Sequence, residues 1–417
     1  MATNNSGYMF IGVIGYTYST GVASCWLMLG WILGDYLASR WVHPRLRRAA
    51  AAGTELSFVG LVSDWNGPAQ VALKRVLAVI ALVFLLAYTS AQLVAGSKAL
   101  TGLLDWPAWG GAVLTASLVA SYSIAGGLRA SIWTDAAQSV VMMAAMATLL
   151  YVALDAAGGY AGARQALAGN GHLLEWFPPG IAWPGMSGAL LFVAGWLFAG
   201  FSVIGQPHIM VRFMALSGDP GLTRTRRWYY SWFALFYAMA TGVGLLSRVL
   251  IADPGSFDAE LALPRMAQQL LPPVGVGLIL AGVFAATLST ADSLVLACSS
   301  ALARDLFPAT DRTAPLRRYK VITILVVLLA LVWALSGSDS VFGIVIFSWS
   351  GLAAALGPLL VLRIWEVPVA FRNGIMAAGV GVATTVGWHW ADWSRGAYEG
   401  MPGMLAALLV GWLARPR

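Results

Sequence analysis

The chain has 417 residues, 59% hydrophobic and only 10% charged, with 19 Trp and a mean hydropathy of +0.75. Soluble domains carry about 25% charged residues, so this composition excludes a soluble enzyme or binding module and predicts an all-α polytopic membrane protein. The net charge of +7 does not point to nucleic acid, because the cations lie in short loops between apolar runs.

Apolar runs of about 20 residues mark spanning helices. About twelve are predicted, at 2–18, 20–41, 73–100, 108–126, 129–155, 181–205, 226–250, 274–303, 316–337, 340–364, 372–391 and 400–414. The longer loops are 42–72, 156–180, 206–225, 251–273 and 304–315, with Pro and Gly at their edges. Of the 25 Lys and Arg, one set of alternate loops holds only Lys98, Arg164, Arg248, Arg265 and Arg395. The other set holds the rest, so positive-inside bias places it, with the C-terminus, in the cytoplasm. Cys25 and Cys298 both fall inside apolar runs and suggest no disulfide framework.

The first run then has to travel outward and would begin near mid-membrane. A helix starting there leaves unsatisfied backbone N–H groups in hydrocarbon. Residues 2–7, Ala-Thr-Asn-Asn-Ser-Gly, are also too polar for a lipid-facing end and suit a broken helix lining a cavity. The expectation is a missing upstream segment holding the rest of this helix and one helix before it. No cleavable signal is expected, since the run lacks a basic n-region.

Further along, Gln92 lies one turn after Tyr88, and a polar amide in an apolar helix should face the interior. Tyr8, Trp196, Phe347 and Trp349 are further aromatics able to stack on a solute, although most of the tryptophans serve as belt or packing residues. Asp135 follows Gly-Gly-Leu-Arg at 126–129 and lies about two turns into its helix. An ionisable group inside a bilayer marks an ion path or proton relay by default; the alternative is a helix-start residue near the interface, close to Arg129. Residues 205–215, Gly-Gln-Pro-His-Ile-Met-Val-Arg-Phe-Met-Ala, end a helix, since Pro207 breaks the hydrogen-bond ladder. His208 reads as an interfacial histidine or a proton carrier, and Arg212 as an ordinary positive-inside residue.

The richest segment is 285–303. Ala286, Ser289, Thr290 and Ser293 share one helical face, which Asp292 borders. Hydroxyls, carbonyls and a carboxylate are what a hard cation such as Na⁺ binds. The competing reading is that Ser and Thr pack membrane helices and bond back to the preceding turn. The four histidines lack metal-ligand spacing. There is no Walker, Gly-x-Ser-x-Gly or His-Glu-x-x-His pattern, so an enzyme is not expected.

Together, Gly126-Gly127-Leu128 with Trp133-Thr134-Asp135 and Gln138, Gly205-Gln206-Pro207-His208 with Arg212-Phe213-Met214, and Ser289-Thr290 through Asp305-Leu306 resemble the sodium/solute symporter family, and the sodium/proline symporters most closely. The resemblance spans essentially the whole chain. It implies an inverted five-plus-five helix repeat: a core of 1–364 with repeats 2–155 and 181–364, then two accessory helices in 365–417. It implies Na⁺ as coupling ion, held by the carbonyls of Ala2, Asn5 and Ala286 and the hydroxyls of Ser289 and Thr290. It also implies a second cation site at Asp135, Ser289, Asp292 and Ser293, and substrate-side positions at Ser6, Gly7, Tyr8, Tyr88 and Gln92.

The expected function is import of a small organic solute, proline or a related amino acid, across the cell inner membrane. The expected partners are the solute and the lipid bilayer, with no nucleic acid and no obligate protein partner. The alternatives are another solute (a sugar, a carboxylate, an osmolyte) or a membrane sensor built on the same fold. One departure stands out: where the proline symporters carry an aspartate, this chain has Asn4.

Overall fold

The computed structural model describes residues 2–169, 171–216, 218–251, 256–307, 316–337 and 340–414. Met1 and most of the expected loop 304–315 lie outside them. So do Arg415 and Arg417 of the basic set.

Among the described residues the structure is helical. After a 3-10 turn at Ala2–Asn4 and an unwound Asn5–Ser6, the chain enters a π-helical stretch, Met9–Val13, and α1, Ile14–Thr20. Gly21 then takes φ +65°, and a Cβ there would collide with the backbone of Leu173. This break separates α1 from α2, Ser24–Ala52. Tyr8 meets Trp31 across it, ring centroids 5.8 Å apart, and Asn4 meets Asp35. The two arms therefore run antiparallel, as the expected pair 2–18 and 20–41 requires.

The following elements are α3 (Phe58–Asp64), α4 (Val71–Leu104), α5 (Ala108–Ala125), α6 (Leu128–Ala156), α7 (Gly159–Ala168), α8 (Gly185–Phe201), α9 (Pro207–Met214) and α10 (Asp219–Leu250). The chain ends with α11 (Ala262–Leu270), α12 (Pro273–Ser300), α13 (Leu316–Leu335), α14 (Val341–Ile364), α15 (Phe371–Trp390) and α16 (Gly400–Leu413). Nine helical segments among the described residues are long and apolar enough to cross a membrane. The first of them, Met9–Ala52, contains the Gly21 break, and Gly400–Leu413 is a shorter apolar helix.

Local chemistry sets the boundaries. Ser57 caps α3 by accepting from Gly60 N at 2.8 Å, and its hydroxyl donates to Asp305 Oδ1 at 2.7 Å. Asp105 ends α4 in the left-handed region, φ +55°. Ser340 caps α14, accepting from Gly343 N at 3.0 Å.

Two expected loops are structured instead. Residues 42–72 hold the end of α2 and the buried α3. Residues 206–225 are not a surface loop: α8 passes through a 3-10 turn, Ser202–Gly205, into an extended Gln206 and then α9. Pro207 occupies the first turn of α9, where its missing N–H costs nothing. The helix is broken there, not ended.

Element order recurs. A helix broken at Asn5–Ser6, then α2, the short α3, α4, α5 and α6, is matched by a helix broken at Gln206, then α10, the short α11, α12, α13 and α14. Helix α14 is the most enclosed span. Helices α2 and α8 cross closely because Gly30 and Gly34 face Trp196, Leu197 and Gly200; a Cβ on Gly34 would strike the Leu197 carbonyl. This is the small-xxx-small contact that lets membrane helices approach. Gly34→Leu is expected to destabilise the fold by at least the 1–3 kcal/mol typical of overpacking, read as loss of monodisperse protein on size-exclusion chromatography after detergent extraction.

Candidate functional site

The two helix breaks bring the expected site residues together. Ala2, Asn5, Ser6, Ala286, Ser289 and Thr290 are all fully buried. The segment before the first break packs on α12: Thr290 Oγ1 donates to the Thr3 carbonyl at 3.1 Å, and Asn5 N to the Ala2 carbonyl at 2.9 Å. Ser289 Oγ donates back to the Ala286 carbonyl at 2.9 Å, and Ser293 Oγ to the Ser289 carbonyl at 2.7 Å. So the hydroxyls do bond to the preceding turn, as the packing reading anticipates, yet they gather against an unwound segment. A hydroxyl donating one proton keeps acceptor lone pairs. The donor set is neutral oxygen only, and that chemistry fits a hard monovalent cation. No group of three or more His, Cys, Asp or Glu suited to a transition metal occurs among the described residues.

Beside this cluster lies the expected substrate side. Gly7 N donates to Gln92 Oε1 at 3.0 Å, Tyr8 N to Ser6 Oγ at 3.1 Å, and Tyr88 Oη to Ser6 Oγ at 3.5 Å. The second break faces the same space. His208 is fully buried and meets Tyr88 edge-on at 5.6 Å and Trp349 at 6.3 Å. Gln206 Nε2 donates to the Trp349 carbonyl at 3.0 Å, and Trp349 Nε1 to the Ala199 carbonyl at 2.9 Å. His208 is thus a core residue of the site, not an interfacial one; reading Pro207 as a helix end hid that.

Several buried polar atoms around the breaks lack a hydrogen-bond partner: Gln92 Nε2, Thr287 Oγ1, Gln206 Oε1 and both ring nitrogens of His208. Buried polar groups are ordinarily satisfied, so each such group needs an explanation. A polar solute seated between the breaks provides one. Thr287 and His208 were not singled out as substrate-side positions from sequence, although Thr287 lies one turn before Thr290. A Cβ on Gly7 would come within 2.7 Å of Thr287 Oγ1 and 3.2 Å of Gln92 Oε1. Gly7→Ala should therefore push both groups out of the site and lower solute affinity several-fold with normal protein abundance, measured as KM for uptake at matched expression.

At the expected second cation site a guanidinium meets two of the expected ligands. Arg212 does more than obey the positive-inside pattern: its Nη2 donates to Asp135 Oδ2 at 3.0 Å, to Ser293 Oγ at 2.7 Å and to Ser131 Oγ at 3.2 Å. Thr3 Oγ1 donates to the same Asp135 oxygen at 2.7 Å. A guanidinium from α9 thus lies between α6 and α12, against two of the expected ligands, Asp135 and Ser293. Asp292 is buried nearby on α12. A cavity of about 380 Å³ on the arginine-rich side reaches Arg212 and Ser293, one turn beyond Ser289.

Sequence reasoning also missed Asp35. Its carboxylate is buried and accepts from Tyr229 Oη at 2.6 Å, Tyr230 Oη at 2.7 Å and Asn4 Nδ2 at 3.3 Å. The carboxylate absent at Asn4 is thus supplied from α2, hydrogen-bonded to Asn4 itself. On the far side the space is closed by rings: Phe342 stacks on Tyr16, centroids 4.6 Å apart and 5° from parallel, and on Tyr8 at 5.5 Å. Glu260 holds this lid, accepting from Val341 N at 2.9 Å and Phe342 N at 2.7 Å at the α14 N-terminus. Lys98 Nζ anchors Glu260 at 2.7 Å.

Helices broken at a shared mid-bundle site, a buried oxygen cluster and an aromatic lid define a multi-pass membrane transporter. A profile of the sodium:solute symporter family matches residues 1–381, and the chain belongs to that family. It is similar to the high-affinity proline transporter PutP of Bacillus subtilis, 28% identical over 98% of this chain and 86% of the relative. It is also similar to the sodium/proline symporters of Staphylococcus aureus (28%, 99% and 83%) and Escherichia coli (27%, 97% and 81%). Its fold resembles that of a Na⁺-coupled sialic acid symporter solved substrate-bound and outward-open, with TM-score 0.79 and 17% identity over 99% of this chain and 87% of that one. The nucleobase-cation-symport-1 transporter Mhp1, closed around bromovinylhydantoin, has TM-score 0.59 and 17% identity over 98% and 89%. The chain is a sodium-coupled symporter, not an enzyme, with Na⁺ as its coupling ion.

Proposed function

We propose that this symporter imports proline or a closely related amino acid across the cell inner membrane, with the arginine-rich face and the C-terminus in the cytoplasm. The observation that carries the reading is the set of unpartnered buried groups, Gln92 Nε2, Thr287 Oγ1, Gln206 Oε1 and the His208 ring, walled by Tyr8, Tyr88 and Trp349. Aromatic rings beside polar groups suit a small ring-bearing solute with polar ends. The relatives named as proline transporters support the same choice.

Sodium is proposed to bind between the Ala2, Asn5 and Ala286 carbonyls and the Ser289 and Thr290 hydroxyls. Arg212 takes the place of a second ion, so one Na⁺ moves per solute. One charge crossing ~100 mV supplies about 2.3 kcal/mol, and the Na⁺ concentration gradient adds to it. The recurring element order supports division into repeats 2–155 and 181–364 with an accessory segment 365–417.

In this cycle the solute and Na⁺ meet between the two breaks while the Tyr16–Phe342 lid is open. Lid closure then leaves the cavity beside Arg212 and Ser293 as the route to the cytoplasm. The test is uptake of labelled L-proline by cells expressing the protein with Na⁺ or K⁺ outside. Na⁺-dependent uptake inhibited by unlabelled proline, but not by glucose or sialic acid, is expected. Inhibition by those solutes and not by proline would assign the site elsewhere.

A further inference from the structure

A crevice of about 310 Å³ lies between α2, α8, α14 and α16, outside the central site. Every side chain lining it is apolar or aromatic. Such a lining offers no partner to a polar solute and suits hydrocarbon. A helix about 10 Å across would fill this volume in about 4 Å of its length, less than one turn. The crevice therefore takes a single alkyl chain and not a partner helix. Its inner end reaches the second helix break. Phe201, the last residue of α8, lines it, and so does Met404, which accepts from Ser202 Oγ at 3.4 Å. An occupant thus packs on the two residues that border the Ser202–Gly205 turn.

The rim differs in character. Trp41 and Trp365 both line the crevice, ring centroids 5.9 Å apart, and Trp412 meets Trp365 edge-on at 6.0 Å. Tryptophans gather where hydrocarbon meets headgroups, so this is the interfacial end. Phe201 lies against Gly34, about 10 Å back along α2 from Trp41. In the other direction α2 continues into a basic stretch: residues 40–48 hold four arginines and no carboxylate. Leu37, Trp41, Arg45 and Arg48 are spaced four, four and three residues apart, hence on one face of α2. Arg45 and Arg48 stand about 6 Å and about 10 Å beyond Trp41, where lipid phosphates lie. Arg45 holds its guanidinium over the Trp41 ring, 5.7 Å from the centroid, and donates to the Trp41 carbonyl at 2.8 Å. Arg48 donates to the Pro44 carbonyl at 3.2 Å. Both residues are exposed, and each guanidinium carries five N–H donors in a fork that matches a phosphate.

We propose that this crevice is a binding site for an anionic phospholipid of the leaflet on the arginine-rich side. Its acyl chain is seated from Trp41 to Phe201, and its phosphate is held by Arg45 and Arg48. Basic residues above an apolar cleft between membrane helices are the arrangement that holds such headgroups. Charge selects the lipid, because the crevice itself takes the chain of any lipid. The site is independent of which solute is carried.

The test places the full chain in phosphatidylcholine nanodiscs doped with phosphatidylglycerol or phosphatidylcholine carrying a photoactivatable diazirine on one acyl chain. Adducts are mapped by mass spectrometry. In wild type, phosphatidylglycerol should label the crevice residues of α2, α8 and α16 at least fivefold more than phosphatidylcholine. The exposed Leu328, Leu329 and Val332 of α13 should be labelled alike by both lipids. Arg45→Gln with Arg48→Gln should abolish the preference in the crevice and leave its labelling by phosphatidylcholine unchanged. Leu405→Trp, which fills the crevice without altering charge, should lower labelling of α2 and α8 by both lipids at least fivefold. A single monodisperse peak on size-exclusion chromatography reports an intact fold in each variant, and the wild-type comparison stands without either. Equal labelling of the wild-type crevice by the two lipids would overturn the proposal. So would a preference that survives loss of both arginines, or labelling undiminished by Leu405→Trp. A crevice labelled by neither lipid would overturn it too, and would mean that a protein surface such as a second copy of this chain covers it.

Discussion

Ser289→Ala and Thr290→Ala should each raise the Na⁺ concentration for half-maximal uptake by about tenfold or more. Each would remove one oxygen from the proposed sodium site, and a hydrogen bond to a charged group contributes about 1.5–3 kcal/mol; each 1.4 kcal/mol is about a factor of ten. The maximal rate at saturating Na⁺ should change much less, because neither hydroxyl contacts the solute side directly. Thr290→Ser keeps the hydroxyl and should stay near wild type. Thr290→Ala also frees the Thr3 carbonyl, so its effect should be the larger of the two. The measurement is initial uptake against external Na⁺ at matched protein level. Unchanged Na⁺ dependence in both alanine variants would leave these hydroxyls with packing roles only.

The second large effect concerns Asp135 and Arg212. Removing one partner of a buried pair costs about 3–5 kcal/mol, because the other charge is left uncompensated. Arg212 is 18% exposed, which moves the expectation to the lower end. Asp135→Asn or Arg212→Gln alone should therefore lower folded protein sharply. The double variant should recover most of it, since the mismatch disappears. If Arg212 replaces a second ion, wild-type uptake rises with Na⁺ along a hyperbolic curve, without sigmoid character. A sigmoid curve that becomes hyperbolic in Asp135→Asn would instead show a second Na⁺ bound there.

The class of fold was legible because the bilayer imposes a 20-residue apolar period that survives into composition. The Ser289–Thr290 face was legible for the same reason, one helical period on one segment. What was not legible needed contacts between distant segments. Arg212 counts as one more basic residue in one dimension, and only the crossing of α9 with α6 and α12 makes it a counter-ion. Proline at 207 signals that a hydrogen-bond ladder stops; whether the chain then leaves the membrane or resumes as a buried half-helix is decided by neighbours such as Trp349. Asp35 sits in an apolar run and meets Tyr229, Tyr230 and Asn4 only after α2 folds back about Gly21. The short α3 and α11 escaped notice because elements of seven and nine residues lack the length from which a hydrophobic period can be read.

Asn4 joins these scales. It stands where the resemblance leads one to expect an aspartate, and the structure hydrogen-bonds it to a carboxylate from another helix. Asp35→Asn should therefore be more damaging to uptake than its distance from Ser289 in sequence suggests, with Asn4→Asp in the same chain restoring part of it.

Sodium-coupled import is tested most directly by uptake of labelled L-proline into proteoliposomes holding the purified chain, with an inward Na⁺ gradient and an interior-negative potential. Accumulation above the external concentration that collapses when K⁺ replaces external Na⁺ is the predicted result. Equal, non-accumulating uptake under both conditions would contradict sodium-coupled import of this solute.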